Sequence, residues 1–316
     1  MKFKKILTIG INEANLGSEH MKKLNLFAEQ IVSLPKSSHE VKKHLADTDC
    51  LLVCFGLDVT KADIDDSPKL EYIGVLATAY GKIDYKYAKK KGIVVCNIPD
   101  YSTESVAEFT IAVILEHIRK LGEGKSKVRE GDCSGDGFYA TEIKNKKFGV
   151  LGLGNIGGRV AELALGFNAD VRYWSRNRKP NFESKGIKYQ DSDHLIRECD
   201  FLSINLAQTS DTKNFLNEKK INSLKKGAIV VNTAPMELVN IKALEKRLQS
   251  GEITFILDHS DEMKSEDVKT LAKYKNCIIY PPIAYVSKEA AIAKKEIFVK
   301  NIENFLKGSF VNVANK

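Results

Sequence analysis

The chain has 316 residues, more than one compact core usually holds and about right for two domains. Its 43% hydrophobic and 28% charged residues are ordinary for a soluble globular protein. No run approaches the ~20 apolar residues of a membrane span, and the net charge of +8 is spread along the chain, so neither a membrane nor a nucleic-acid partner is expected.

The N-terminal apolar run is too short for a signal segment and reads as a first strand, which makes a cytoplasmic location the expectation. Early strands are predicted at Ile6–Gly10, Leu51–Gly56, Tyr72–Leu76 and Ile93–Cys96, with helices such as Val41–Leu45 and Asp84–Lys91 between them. A long helix, Ser102–Leu121, opens with hydroxyls suited to an N-cap and an acid in its first turn. The Gly-rich polar stretch Gly122–Gly137 reads as a loop. A second series then begins. Its strands are Phe148–Leu151, Val171–Trp174, Phe201–Leu206, Ala228–Asn232, Phe255–Asp258 and Cys277–Tyr280. Its helices include Ile156–Phe167 and Ile241–Gln249, and the chain closes with helix Ser287–Leu306. Alternation of this kind predicts an α/β protein with two doubly wound domains. Cys50, Cys54, Cys96, Cys133, Cys199 and Cys277 form no CxxC pair, so reduced thiols are expected and no metal site.

The most informative segment joins the strand at Phe148 to Gly152-Leu153-Gly154-Asn155-Ile156-Gly157 and a helix. In that order Gly152 permits a tight turn and Gly154 lets the backbone approach a pyrophosphate. Gly157 lets helix and strand pack closely, and the helix N-terminus faces phosphate charge. A dinucleotide is the expected ligand. The next strand ends in Ser175-Arg176-Asn177-Arg178, where an NAD site usually carries an acid for the ribose hydroxyls. Arg176 and Arg178 are placed to pair with a 2′-phosphate and Ser175 to donate to it, so NADP(H) is favoured and NAD(H) remains possible.

At this point the chain resembles the D-isomer-specific 2-hydroxyacid dehydrogenases. The resemblance rests on Lys91–Pro99 followed by Ser102–Glu108, on the glycine turn, and on Leu202–Leu206 with Thr209 and Thr212. It also rests on Val231-Asn232-Thr233-Ala234, Leu257-Asp258, Ile283-Ala284 and Ser287–Ala290. It implies a Rossmann cofactor domain, residues 101–285, inserted in a flavodoxin-like substrate domain, residues 1–100 and 286–316. It implies a homodimer acting on a small molecule. Leu206, Thr209, Thr212, Thr233 and Asp258 would join the cofactor site, and Ala79, Tyr80, Gly81 and Lys82 the substrate cleft.

The resemblance also implies an arginine that clamps the substrate carboxylate, a histidine that exchanges the hydroxyl proton, and a glutamate that orients it. Carried over by their flanking residues, these positions hold Pro235, Pro282 and Met263. Proline offers neither charge nor proton. Tyr285, His259, Tyr80 and Glu262 are the remaining candidates for proton handling. Two readings follow: an oxidoreductase with an atypical substrate or mechanism, and a catalytically inactive NADP(H)-binding regulator.

Overall fold

In the computed structural model, residues 2–316 are described, and the chain divides into two compact units. One is the chain up to Ser102 together with Ser287–Lys316; the other is Thr103–Val286.

The first unit holds β1 (Phe3–Ile9), β2 (Ala28–Leu34), β3 (Cys50–Cys54), β4 (Tyr72–Leu76) and β5 (Val94–Cys96). They form one parallel sheet in the order β2-β1-β3-β4-β5. This is the flavodoxin-like doubly wound order, whose direction of winding reverses between β1 and β3. Strands β3 and β4 are buried along their whole length, which explains their unbroken apolar sequences. The closing helix, Lys288–Leu306, returns to this sheet and is capped by Ser287, whose hydroxyl accepts from the Ala290 amide. Its Phe305 packs among Phe3 and Tyr72, with ring centroids 5.6 and 4.9 Å away.

The second unit holds β6 (Lys147–Leu151), β7 (Asp170–Trp174), β8 (Lys188–Tyr189), β9 (Phe201–Ile204), β10 (Ile229–Asn232), β11 (Thr254–Leu257) and β12 (Cys277–Ile279). Their parallel order is β12-β11-β10-β9-β6-β7-β8, the Rossmann order with an added strand, and it reverses between β6 and β9. One core packs Ile111, Ile114, Val160 and Ala164 against Phe148, Val150, Val171 and Phe201. Another packs Leu195, Leu244 and Leu248 against Leu202, Val230 and Phe255. Both sheets are therefore the helix-covered parallel kind that the alternating sequence predicts.

Two segments differ from the sequence reading. Gly122–Gly137 is not a continuous loop: Leu121–Arg129 is a second helix, split from Thr103–Arg119 by Lys120 in the left-handed region at φ 52°. That helix buries no side chain, so it leaves no apolar period in the sequence. Strand β2 and the helix before it, Ser18–Phe27, were not expected either. β2 is an edge strand with one buried residue, Ala28, so its alternation is weak.

Candidate functional site

The glycine turn lies at the carboxyl end of β6, beside the point where the second sheet reverses. Each glycine there answers a different steric demand. Gly152 has φ +93°, and a Cβ on it would lie 2.7 Å from the Asn205 carbonyl oxygen. A Cβ on Gly157 would lie 2.0 Å from the Gly152 oxygen, so only glycine lets the helix sit this close to the strand. Gly154 is different. Its φ is −83°, and a Cβ there would meet no protein atom within 4 Å. Nothing in the protein requires that glycine, whereas backbone approach to a pyrophosphate does. Helix Asn155–Gly166 starts here with no side-chain cap and no acid in its first turn, which leaves backbone donors for an anion. The residues fit a dinucleotide.

At the end of β7 the arginines have partners that the sequence did not reveal. Arg178 holds Glu183 through two hydrogen bonds of 3.0 and 2.6 Å. The Tyr173 hydroxyl donates to the same carboxylate at 2.6 Å, and Arg178 first, then Tyr173, holds its pKa down at about 2. Arg176 meets Asp211 at 3.1 Å, but both side chains are well exposed, and such a pair is worth little. Ser175 is buried and donates to the Asn177 carbonyl at 2.5 Å, so its proton serves the turn and not a phosphate. Thr212 is also structural in part: it accepts from the Thr209 amide and donates to the Ala207 carbonyl. It shapes the loop after Leu206.

The other half of the sheet edge carries the remaining candidates. Asp258 follows β11 and is buried. Its Oδ2 accepts from the Ala284 amide at 3.0 Å, while Oδ1 is buried with no partner among the described residues. Burial pushes this carboxyl above its ordinary value, against the pull of His259 and the Ala284 amide. An unpaired buried acceptor is costly, and the amide group of a nicotinamide is a donor of the kind that would satisfy it.

His259 links two strand ends. Its Nε2 lies 3.1 Å from the Thr233 carbonyl oxygen, and its Nδ1 lies 3.5 Å from Glu262 Oε2. Burial alone would lower the imidazole pKa, but Glu262, Asp258 and Asp261 outweigh it, and the net shift is upward. The contact with His259, ahead of burial, lowers Glu262. His259, Glu262, Asp258 and Thr233 thus form one cluster. Pro235 follows Thr233 by two residues and begins a short 3₁₀ turn, Met236–Leu238. Pro282 sits in the turn closed by Ile283 on the Pro281 carbonyl, and Tyr285 is exposed beyond it.

Ala79, Tyr80, Gly81 and Lys82 lie in the first unit, after β4. Tyr80 packs edge-on against Tyr85, with ring centroids 5.3 Å apart. Lys82 donates to the Gly56 carbonyl at 3.3 Å. No helix of the described residues is long and apolar enough to cross a membrane.

Comparisons with known proteins agree with this geometry. The NAD-binding domain of the D-isomer specific 2-hydroxyacid dehydrogenases matches residues 111–284. A hydroxypyruvate reductase of Blautia hydrogenotrophica is 33% identical over 259 residues, 79% of this chain and 80% of the relative. An acyclic imino acid reductase, solved with NADPH and D-arginine, superposes with a TM-score of 0.85 at 28% identity, covering 98% of this chain and 99% of that one. A D-lactate dehydrogenase from Aquifex aeolicus, solved with NAD and lactic acid, gives 0.82 at 27% identity and covers 96% of each chain. The glycine turn, the reversal of the sheet beside it and these matches lead to one assignment: the chain is an NAD(P)-binding member of the D-isomer-specific 2-hydroxyacid dehydrogenase family of oxidoreductases.

Proposed function

We propose that the protein is an NADP(H)-using oxidoreductase whose hydride acceptor arrives already activated, an imine and not an ordinary 2-keto acid. One contrast carries this reading. At a single sheet edge the groups suited to hold the dinucleotide are kept, including the unpaired Oδ1 of Asp258, while Pro235, Met263 and Pro282 stand where the family resemblance puts arginine, glutamate and histidine.

A keto acid needs a proton delivered to its oxygen and a cation to polarise its carbonyl. A protonated imine brings both with it, so the loss of those side chains costs it less. When bound, the nicotinamide supplies the hydride. Gly152, Gly154 and Gly157 admit and orient the pyrophosphate. Arg176, freed from an exposed ion pair, takes the 2′-phosphate. Asp258 accepts from the carboxamide and fixes the ring. His259, held between Thr233 and Glu262, is placed at that edge to exchange a proton with product amine. Tyr285 and Tyr80 are weaker candidates, since neither has a hydrogen-bonded partner among the described residues that would orient it. A homodimer is part of the same proposal. The imino acid reductase that superposes on this chain gives the substrate class a precedent on this fold.

The alternative is a binder that holds NADP(H) and does no chemistry, favoured by two prolines in place of reactive side chains. Mixing the protein with NADPH and a panel of imines, aldehydes and 2-keto acids separates the two. Oxidation of NADPH by an imine supports the enzyme. Tight NADPH binding with no oxidation across the panel leaves the binder.

A further inference from the structure

The first unit has its own winding reversal, between β1 and β3, and parallel sheets of this order bind ligands outside the carboxyl ends of their strands at that point. The chain leaves β1 through Gly10 and β3 through Cys54, Phe55 and Gly56. Gly10 has φ +68°, and a Cβ there would lie 2.3 Å from Cys54 Sγ and 2.7 Å from Lys36 Cγ, so this edge is tightly built.

Three lysines gather around it. Lys36 Nζ donates to the Phe55 carbonyl at 2.8 Å, and Lys82 Nζ donates to the neighbouring Gly56 carbonyl at 3.3 Å. Lys294, from the closing helix, is half-buried with its ammonium over the Tyr101 ring at 5.6 Å, and that ring packs against the same core cluster as Cys54. Among the described residues none of the three pairs with a carboxylate. Each ammonium that rests on a carbonyl keeps donors to spare. Burial lowers the Lys294 pKa, and an anion beside it would raise it again.

We propose that Lys36, Lys82 and Lys294 form an oxyanion site at the carboxyl ends of β1 and β3, built to take a carboxylate or phosphate. This deepens the hydride-transfer reading and rests on it for the identity of the anion's owner: the imine substrate would carry such a group, as an imino acid does.

Calorimetric titration of the full-length protein, saturated with NADPH so that the glycine turn is filled, with inorganic phosphate and separately with oxalate tests the site. One saturable site is expected, weakening as salt rises from about 50 to 300 mM. Lys36→Met and Lys82→Met, both at exposed positions, should each weaken binding about three- to tenfold, and Lys294→Met at least about tenfold. Lys226→Met in the second unit serves as the control and should change nothing. Preference for oxalate points to a carboxylate owner, and preference for phosphate to a phosphorylated one. Unsaturable binding, or equal affinity in the wild type and the Lys36→Met/Lys82→Met protein, overturns the site. The outcome is separable from the fate of the proposed activity. Saturable, lysine-dependent anion binding without NADPH oxidation keeps the site and removes the enzyme. NADPH oxidation by imines with no anion binding does the reverse.

Discussion

The two halves of the second sheet end differently. Around β6 and β7, the chain keeps each glycine that a dinucleotide turn needs, down to Gly154, which no protein contact demands. Around β10, β11 and β12, the strand-end frame is in place, and the proposed function turns on the residues just beyond it. Asp258 still ties the strand edge to Ala284, and Asn232 still ties β10 to the following turn through the Ala234 carbonyl. Yet the positions beyond them are Pro235, Met263 and Pro282. On the proposed reading these are the family's reactive positions, and the contrast then makes binding of the cofactor and turnover of a keto acid separable requirements on this fold.

The largest expected effect breaks that contrast at its firm side. Gly157→Ala should destabilise the protein by about 3 kcal/mol in a denaturant melt, because its Cβ meets backbone that has no room to move. Gly154→Ala should leave stability within about 0.5 kcal/mol, yet weaken NADPH binding at least about tenfold. If Gly154→Ala bound NADPH as well as the wild type, the open Cβ position would have no link to the pyrophosphate.

On the other half of the sheet, Asp258→Ala should weaken NADPH binding by about 10- to 100-fold, since a charged acceptor in a buried setting is worth about 1.5–3 kcal/mol. An unchanged affinity would mean that Oδ1 does not face the cofactor. Arg176→Ala should cost about tenfold in NADPH affinity and leave NADH untouched. Arg178→Ala should act mainly on stability, because its guanidinium is committed to Glu183. A reversed pattern would exchange their roles.

The smallest effect concerns pH. Glu262 is lowered below 4.5 and His259 raised above 6.5. The histidine's contribution to stability is full below pH 6.5 and fades as pH rises through its raised value. The glutamate's is present above pH 4.5 and fades as pH falls through its lowered value. Their pair therefore contributes most between about pH 4.5 and 6.5, and by no more than about 1 kcal/mol given its partial exposure. Thermal melts of His259→Gln and Glu262→Gln, followed from below pH 4.5 to above pH 6.5, should both depend less on pH than the wild type outside that window. A wild-type profile retained in His259→Gln would show that the pair does not titrate as described.

Much of this was legible in the sequence for a simple reason. Buried strands such as β3 and β4 carry unbroken apolar runs, and the glycine turn carries its spacing in plain view. Tyr72–Leu76, Val41–Leu45 and Ile241–Gln249 were placed to the residue. What escaped was whatever lacks a buried face or depends on distant partners. Helix Leu121–Arg129 has no apolar stripe, and β2 is an exposed edge. The commitment of Arg178 to Glu183 and the inward-turned hydroxyl of Ser175 are facts of packing that spacing does not encode. His259 and Glu262 were visible as residues three apart, but their tie to Thr233 comes only from the pairing of β10 with β11.

The most direct measurement follows absorbance of the reduced nicotinamide with the purified protein, NADPH and two acceptors in parallel: an imino acid formed in situ from a 2-keto acid and an amine, and hydroxypyruvate alone. The imino acid should oxidise NADPH, while hydroxypyruvate should react at no more than about 10⁻⁴ of an ordinary family rate. Rapid reduction of hydroxypyruvate by the wild-type protein would contradict the account, because it would mean that Pro235 and Pro282 do not stand where the arginine and histidine act.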